Sequence, residues 1–314
     1  MTTAQTTMVV AKPKTTLRQR MWNHKYLYLM MLPGIVYFLI FHYFPMIGVG
    51  IAFREFSFRN PFFGGEFVGM KYFSLMFQSK DFLNVLRNTF VISMGRLLFE
   101  FPFAIVLALL FNEIRGSKSK RFLQTVFTFP HFISWVVASG IIINLLNDGG
   151  AVNQMIVALG GEKMSFLTNA KTFRSLLYIT DNWKEIGWGT IIYLATISNI
   201  DAEQYEAALV DGANRWHRLL YITLPALATV FGILLILNIA NMMKAGFEQI
   251  FNMYNPTVYG VSDIIDTYIY RKTFKLGESF SMSTAIGLFK SVISGALLVS
   301  ANWIVRKING VGIF

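Results

Sequence analysis

The sequence EQYEAALVDGANRWHRLLYITLP occupies residues 203–225 and lies between two long apolar runs. It begins with acidic residues, carries basic residues later and is interrupted by Gly212. Asp201 is placed to cap a helix, with Gln204 as its partner in a capping box. Gly212 can supply the left-handed residue that ends this helix, and Asn214 can cap the next one. The pattern therefore predicts two short helices joined by a tight turn.

The first of these helices has only a narrow apolar stripe, formed by Tyr205, Ala208 and Leu209. An isolated helix this short is not stable in water, so we expect it to need a groove on another protein. The alternative is an ordinary loop resting on a membrane surface. The second helix continues into an apolar run, which we expect Pro225 to bend near its start because proline removes one helical hydrogen bond.

The composition of the whole chain indicates a membrane protein. Of 314 residues, 54% are hydrophobic and 14% charged, with a mean hydropathy of +0.49. Soluble domains average roughly 25% charged residues. The sequence has no cysteine, and its four histidines lack the spacing of a metal site. It also has no P-loop and no nucleophile elbow, so we predict no catalytic and no metal site on this chain.

Six apolar stretches approach the roughly 20 residues needed to cross a bilayer as a helix. They show no two-residue alternation, which favours helices over a β-barrel. The predicted class is therefore an all-α polytopic membrane protein with six transmembrane helices. The predicted spans are residues 26–53, 88–111, 122–146, 175–197, 219–243 and 282–305.

The net charge of +11 comes from bases that cluster beside apolar segments, as in KPKTTLRQR and RGSKSKR. This placement is typical of the flanks of membrane spans, and nucleic-acid binding is not expected. The density of Lys and Arg predicts that both termini are cytoplasmic. We expect a retained N-terminal tail (1–25), a membrane domain (26–305) with its short cytoplasmic helices at 201–217, and a C-terminal tail (306–314).

Charged residues inside the predicted spans are costly in lipid and face the bundle interior or a wet cavity. Arg96 and Glu100 are four residues apart, so we expect them to pair as a structural contact. The fourth span holds three charges and two indoles, for which we favour a substrate path over simple helix packing. These residues are Asp181, Trp183, Lys184, Glu185 and Trp188. The aromatic-rich stretch 244–281 is expected to fold as a short interfacial or re-entrant segment.

The stretch EAALVDGANRWHRLLYITLP matches the EAA signature of permease subunits in ATP-binding-cassette importers. That signature reads Glu-Ala-Ala, three residues, Gly, nine residues and Ile-x-Leu-Pro. It is filled here by Glu206, Ala207, Ala208, Gly212, Ile222, Leu224 and Pro225. EFVGMKYFSLMF and DFLNVLRNTF are similar to the approach to the second span of carbohydrate permeases. FEQIFNMYNPTVYGVSDIIDTYIYR resembles the branch that imports complex oligosaccharides, with Asn255-Pro256 where many sugar permeases have Gly-Gly-Pro.

The resemblance implies the type I importer fold in the bacterial plasma (inner) membrane. It also implies a heterodimer with a second permease subunit, two cytoplasmic ATP-binding subunits and an external solute-binding protein. ATP and Mg would be used by the ATPase subunits, with no cofactor bound by this chain. Glu206 would contact the ATPase. The other implied coupling residues are Ala207, Ala208, Gly212, Leu224 and Pro225.

Family members bind sugar near the middle of the fourth and fifth spans. The corresponding residues here are Asn182, Trp183, Glu185, Trp188, Asn238 and Asn241. Indoles stack on the apolar faces of sugars, and amides and carboxylates bond sugar hydroxyls. Lys184, Lys244 and Lys290 would suit an acidic oligosaccharide, but the identity of the sugar is left open.

Three alternatives stay open at this point. The chain could serve an importer of a non-sugar solute, because the EAA signature is shared by importers of many solutes. It could be a stand-alone ion-coupled carrier, with Asp181, Glu185 and Lys290 as titrating groups. A membrane enzyme has the least support, since no nucleophile or metal set is visible in the sequence.

Overall fold

The computed structural model describes residues 16–59, 65–114, 116–277, 279–310 and 312–313. Most of the predicted tail, residues 1–15, lies outside this range. The described residues are mainly helical and contain no strand beyond one isolated bridge between Arg54 and Phe67. The all-α prediction is confirmed.

The described residues form fifteen α-helices. The first eight are α1 (Leu17–Asn23), α2 (Lys25–Phe38), α3 (Lys71–Gln78), α4 (Lys80–Glu113), α5 (Ser117–Thr128), α6 (Trp135–Leu146), α7 (Ala151–Ala158) and α8 (Phe173–Ser198). The others are α9 (Ala202–Val210), α10 (Arg215–Arg218), α11 (Leu224–Ala240), α12 (Phe247–Met253), α13 (Tyr259–Ser262), α14 (Ile265–Tyr270) and α15 (Phe280–Asn309).

Five helical stretches of the described chain are long and apolar enough to cross a membrane. They are Lys25–Phe53, Lys80–Glu113, Trp135–Ala158, Arg215–Ala240 and Phe280–Ile308. The predicted fourth span corresponds to α8, which has 26 residues. Its charged residues Asp181, Lys184 and Glu185 make it too polar to qualify by composition. Length and composition therefore support five spans, of which the third lies at Trp135–Ala158 and not at the predicted 122–146.

The predicted span 122–146 is not one continuous helix. After α5 the chain makes a 3-10 turn over Phe129–Phe132, which contains Pro130, and Ile133 is extended with ψ 132°. A proline lacks the N–H that would continue the helix, so the break follows from the sequence. Ser134 then caps α6, because its Oγ accepts a hydrogen bond from the Val137 N–H at 3.3 Å.

The bend predicted at Pro225 coincides with a change in helix type. A π-helical turn over Leu219–Thr223 joins α10 to α11, and Pro225 lies in the first turn of α11. A π-turn widens the helix locally, and such turns commonly adjust helices near functional sites. The helix type thus changes where the membrane helix leaves the short helices α9 and α10.

The segment after α11 packs into the centre of the molecule. Helices α12 to α14 bring apolar side chains against α4 and α8, and the largest of these contacts are completely buried. They involve Ile92, Phe173, Leu177, Ile250 and Ile264. The predicted interfacial or re-entrant segment is therefore a set of short helices that contributes to the main core.

Polar contacts fix this segment to the bundle. The buried Asn88 amide donates to the carbonyls of Gly260 and Asp263, both at 3.2 Å, and its oxygen accepts from Arg174 at 2.7 Å. The Asp263 carboxylate forms an ion pair with Arg271. Burial raises the pKa of the Asp263 carboxyl, while hydrogen bonds from Thr267 and Arg271 act in the opposite direction. The segment is held by partners from two other helices and from within itself.

Removal of Arg271 should strongly destabilise the protein. The Arg271→Met variant leaves the Asp263 carboxylate buried without its cation, and loss of one partner of a buried pair costs about 3 kcal/mol. We expect a clear fall in the thermal midpoint of the purified protein. Lys71→Met is the matched control, because its pair with Glu55 is about half exposed on both sides and exposed pairs contribute little. Equal midpoints for the two variants would contradict the importance of the buried pair.

Candidate functional site

A polar cavity of about 270 Å³ lies between α4, α8 and the end of α11. Five of its lining residues carry charge, which is unusual inside an apolar bundle. The charged residues are Arg96, Glu100, Asp181, Glu185 and Lys244. The wall also includes Ser93, Trp135, Asn238, Asn241 and Gly246. The cavity therefore combines cations, carboxylates, amides and one indole.

Arg96 connects three helices at one side of this cavity. Its guanidinium donates to Asp181 Oδ1 on α8 at 3.0 Å and to the side-chain oxygen of Gln249 on α12. Gln249 is fully buried and donates to the Leu177 carbonyl at 3.0 Å and to Thr180 Oγ1 at 2.7 Å. The structure thus pairs Arg96 across helices with Asp181, and not along α4 with Glu100 as predicted. The reason is that α8 and α12 pack on the α4 face that carries Arg96.

A tight turn after α11 forms the floor of the cavity. The 3-10 turn Met242–Lys244 is followed by Ala245 with φ 45° and Gly246 with φ 72°, both in the left-handed region. Ser93 Oγ donates to the Met242 carbonyl. A Cβ atom on Gly246 would collide with the Arg96 guanidinium. Glycine is therefore required here both for the backbone angle and for the approach of Arg96.

A second cluster of charges lies on the α8 side. Lys184 is buried, and its Nζ donates to Glu185 Oε1 at 2.8 Å and to the His131 carbonyl at 2.9 Å. The other Glu185 oxygen lies 2.6 Å from His131 Nδ1. The His131 ring stacks on Trp188 with a centroid distance of 4.6 Å and an angle of 4°. Glu185 therefore has a lysine and a histidine as partners.

The predicted sugar-site residues divide into two groups. Glu185, Asn238 and Asn241 line the polar cavity, whereas Asn182, Trp183 and Trp188 are not part of its wall. The two indoles are 43% and 47% exposed on the surface of the chain. The Asn182 amide donates to the Tyr178 carbonyl at 3.1 Å, and its oxygen is buried without a partner in the described structure.

The amides of Asn238 and Asn241 each donate to a backbone carbonyl four residues earlier, at 3.0 and 2.9 Å. This leaves the side-chain amide oxygens of both asparagines free to accept hydrogen bonds in the cavity.

Sequence reasoning missed Ser93, Trp135 and the cavity role of Arg96. Trp135 carried no signal, because it lies about a hundred residues before α11 and reaches the cavity only through packing.

A larger neighbouring cavity of about 560 Å³ shares Trp135, Lys244 and Gly246 with the first. Its wall is mostly aromatic and apolar. The further lining residues are Phe247, Glu248, Asp266, Ile269, Tyr270 and Phe274. Together the two cavities offer aromatic surface beside a polar pocket, an arrangement that suits a saccharide with apolar faces and hydroxyl edges.

The two short helices predicted within residues 201–217 are present as α9 and α10. Asp201 caps α9, but its Oδ1 accepts from the Glu203 N–H at 3.0 Å, so the cap does not follow the capping-box pattern predicted with Gln204. Gly212 is left-handed with φ 76°, and Asn214 caps α10 by accepting from the His217 N–H at 2.9 Å, as predicted.

Helix α9 stands free of a hydrophobic partner in the described structure. Leu209 and Val210 are 53% and 89% exposed. The Tyr205 hydroxyl of α9 lies 2.9 Å from Thr223 Oγ1, and on the neighbouring α10 Arg215 lies 3.5 Å from Glu113 at the end of α4. Glu206, Ala207, Leu224 and Pro225 are exposed, and Ala208 is half-buried.

Gly246→Ala should disrupt the Arg96 network. The added Cβ must displace the guanidinium or strain the left-handed backbone, at a cost of about 2 kcal/mol. We expect a lower thermal midpoint for the purified protein. Gly140→Ala in α6 is the control, since a Cβ there meets no atom within 4 Å. If Gly246→Ala is as stable as wild type and Gly140→Ala, the turn is not constrained as described.

Comparison with known proteins agrees with this architecture. Residues 100–310 match the family described as binding-protein-dependent transport system inner membrane component. Protein LplB of Bacillus subtilis (strain 168) is 45% identical over 92% of this chain and 91% of its own length. The polygalacturonan/rhamnogalacturonan transport system permease protein YteP of the same organism is 44% identical over 93% and 91%.

The fold is also found among solved structures. A chain of a bacterial ABC transporter involved in the import of the acidic polysaccharide alginate is 36% identical to this chain. It covers 93% of this chain and 99% of its own length, with a TM-score of 0.87. The resemblance drawn from the EAA signature is confirmed. The chain belongs to the family of inner membrane components of binding-protein-dependent transport systems, as the membrane-embedded permease subunit of an ABC importer.

Proposed function

We propose that this permease conducts oligosaccharides, such as fragments of a polysaccharide, across the bacterial plasma (inner) membrane. The observation that carries the proposal is the pair of adjoining cavities at the end of α11. Glu185, Asn238 and Asn241 line the polar part, and aromatic residues line the neighbouring part. The relatives named for polygalacturonan, rhamnogalacturonan and alginate favour a saccharide over a non-sugar solute. Asn182, Trp183 and Trp188 complete the proposed path from the outer surface of α8.

We infer that α8 is the sixth membrane span. Its 26 residues extend about 39 Å, enough to cross the hydrocarbon core. Its charges have partners inside the bundle: Asp181 binds Arg96, and Glu185 binds Lys184. Paired charges that face the interior are tolerated in a span. With six spans both termini would lie on one side, and the density of basic residues favours the cytoplasm for that side.

Helix α9 is proposed to dock on a cytoplasmic ATPase subunit. Exposed Leu209 and Val210 supply an apolar contact, and exposed Glu206 supplies a charge for a basic partner group. Gly212 forms the turn into α10. A displacement of α9 would therefore be transmitted to α11 through the π-turn and Pro225. Ala207, Ala208 and Leu224 complete the coupling surface. ATP and Mg would bind the ATPase, not this chain.

The full importer would contain this chain, a second permease subunit, two ATPase subunits and an external solute-binding protein. Membership of the family favours this assembly over a stand-alone ion-coupled carrier. The groups that such a carrier would titrate already have ion-pair partners. Asp181 pairs with Arg96, Glu185 with Lys184, and Lys290 with Asp266.

Glu206→Gln should uncouple transport from ATP hydrolysis. Loss of the charge weakens the docking of α9, so ATP-driven uptake of the saccharide should fall at least about tenfold. Uptake is measured in proteoliposomes that contain the complete importer and its binding protein. Glu203→Gln is the matched control, because Glu203 is exposed in the first turn of the same helix. Equal uptake by the two variants would contradict the role of Glu206.

Asn241→Leu should reduce saccharide uptake while ATPase assembly is retained. Removal of the amide oxygen takes away a hydroxyl partner in the cavity and should lower the uptake rate about tenfold. Asn144→Leu serves as the control, since Asn144 is an exposed asparagine of α6 outside the cavity wall. If wild type moves no oligosaccharide in the presence of ATP and the binding protein, the proposed substrate class is wrong.

A further inference from the structure

We infer that Lys244 is the residue that binds the carboxylate of an acidic sugar in the translocation cavity, so the imported saccharide carries uronate residues. This inference depends on the proposed saccharide transport and adds its charge selectivity. It rests on which cation near the two cavities lacks a partner within the described part of the protein and can therefore bind a ligand. The sequence offers three lysines for that role, and the structure separates them.

Two of the three lysines are already neutralised by the protein. Lys184 is buried and donates to Glu185 at 2.8 Å and to the His131 carbonyl at 2.9 Å. Lys290 on α15 contacts both Asp266 oxygens, at 2.5 and 2.7 Å. A ligand carboxylate would have to displace a protein carboxylate at either position. Neither lysine is therefore available to bind a carboxylate of the substrate.

Arg96 lines the cavity but is committed in the same way. Its two terminal nitrogens bond Asp181 and Gln249, and these bonds hold α4, α8 and α12 together. A substrate that captured Arg96 would break the contact between those helices. Arg96 therefore determines the shape of the cavity and does not bind the charged group of the ligand.

Lys244 differs from these cations in position and in partners. It lines both cavities, is exposed, and makes no ion pair in the described part of the chain. The left-handed residues Ala245 and Gly246 fix the turn that carries it. A non-glycine residue at φ 45° is a costly conformation that persists only when packing demands it. The turn thus places one unpaired ammonium at the junction of the polar and aromatic cavities.

The carboxylates of the cavity walls do not prevent Lys244 from binding a substrate carboxylate. Asp181, Glu185 and Asp266 have the cationic partners described above. Glu100 lines only the polar cavity and Glu248 lines only the aromatic cavity, whereas Lys244 lines both. Carboxylates accept hydrogen bonds from sugar hydroxyls, whereas an ammonium binds the sugar carboxylate. A uronate offers both groups, which matches the set of side chains on the walls.

The test compares uptake of trigalacturonate with uptake of its carboxyl-reduced, neutral trisaccharide. Both are measured with the complete importer and the same binding protein, so selection by the binding protein cancels between variants. We expect Lys244→Gln to lower the acidic-to-neutral uptake ratio about tenfold, because one charge-assisted bond is lost. Lys244→Arg should keep most of the ratio.

Lys275→Gln is the matched control, because Lys275 is an exposed lysine near the same region that lies outside both cavity walls. The inference is overturned if Lys244→Gln and Lys275→Gln give the same ratio, or if Lys244→Gln slows both trisaccharides equally. It is also overturned if wild type imports only the neutral trisaccharide, although saccharide transport would then stand. Absence of uptake of both trisaccharides and of other oligosaccharides would instead reject the proposed function.

Discussion

The contact of Arg96 with Asp181 and Gln249 is the interaction on which the rest of the site depends. A charged guanidinium inside an apolar bundle is costly unless the protein supplies hydrogen-bond partners for it, and only the Nε of Arg96 lacks one among the described residues. Here the two terminal nitrogens find partners on α8 and α12, and Gln249 continues the chain of hydrogen bonds to Leu177 and Thr180. These bonds fix three helices at the distance that leaves a cavity between them.

The cavity exists because this region is packed with polar groups instead of interdigitating apolar side chains. Apolar cores close to crystal-like density, whereas buried polar networks hold helices at positions set by hydrogen-bond geometry. The left-handed turn at Ala245 and Gly246 belongs to the same network, since a side chain on Gly246 would displace Arg96. Arg96 thus holds the helices together, whereas Lys244 lines the space between them, where we propose that it binds the substrate.

The short helices α9 and α10 lack such a buried polar network. They are fixed by caps, by the left-handed Gly212 and by a few polar contacts, while their apolar residues stay exposed. A helix of nine residues with this pattern has little stability of its own. Helix α9 continues through α10 and the π-turn into α11, so under the proposed coupling a force on α9 would act on the span whose far end carries Asn238, Asn241 and Lys244 in the cavity wall.

The sequence by itself determined the class, the family, and the positions of the helix caps and the glycine turn in residues 201–217. Hydropathy is a property of consecutive residues, and caps, glycine turns and proline bends act within a few positions of the residues that cause them. The sequence did not determine that Arg96 pairs with Asp181, that residues 122–146 are interrupted at Pro130, or that Trp135 and Lys244 meet at one cavity. Those features depend on which helix faces lie against each other, and the choice among competing partners is made by packing between segments far apart in the chain.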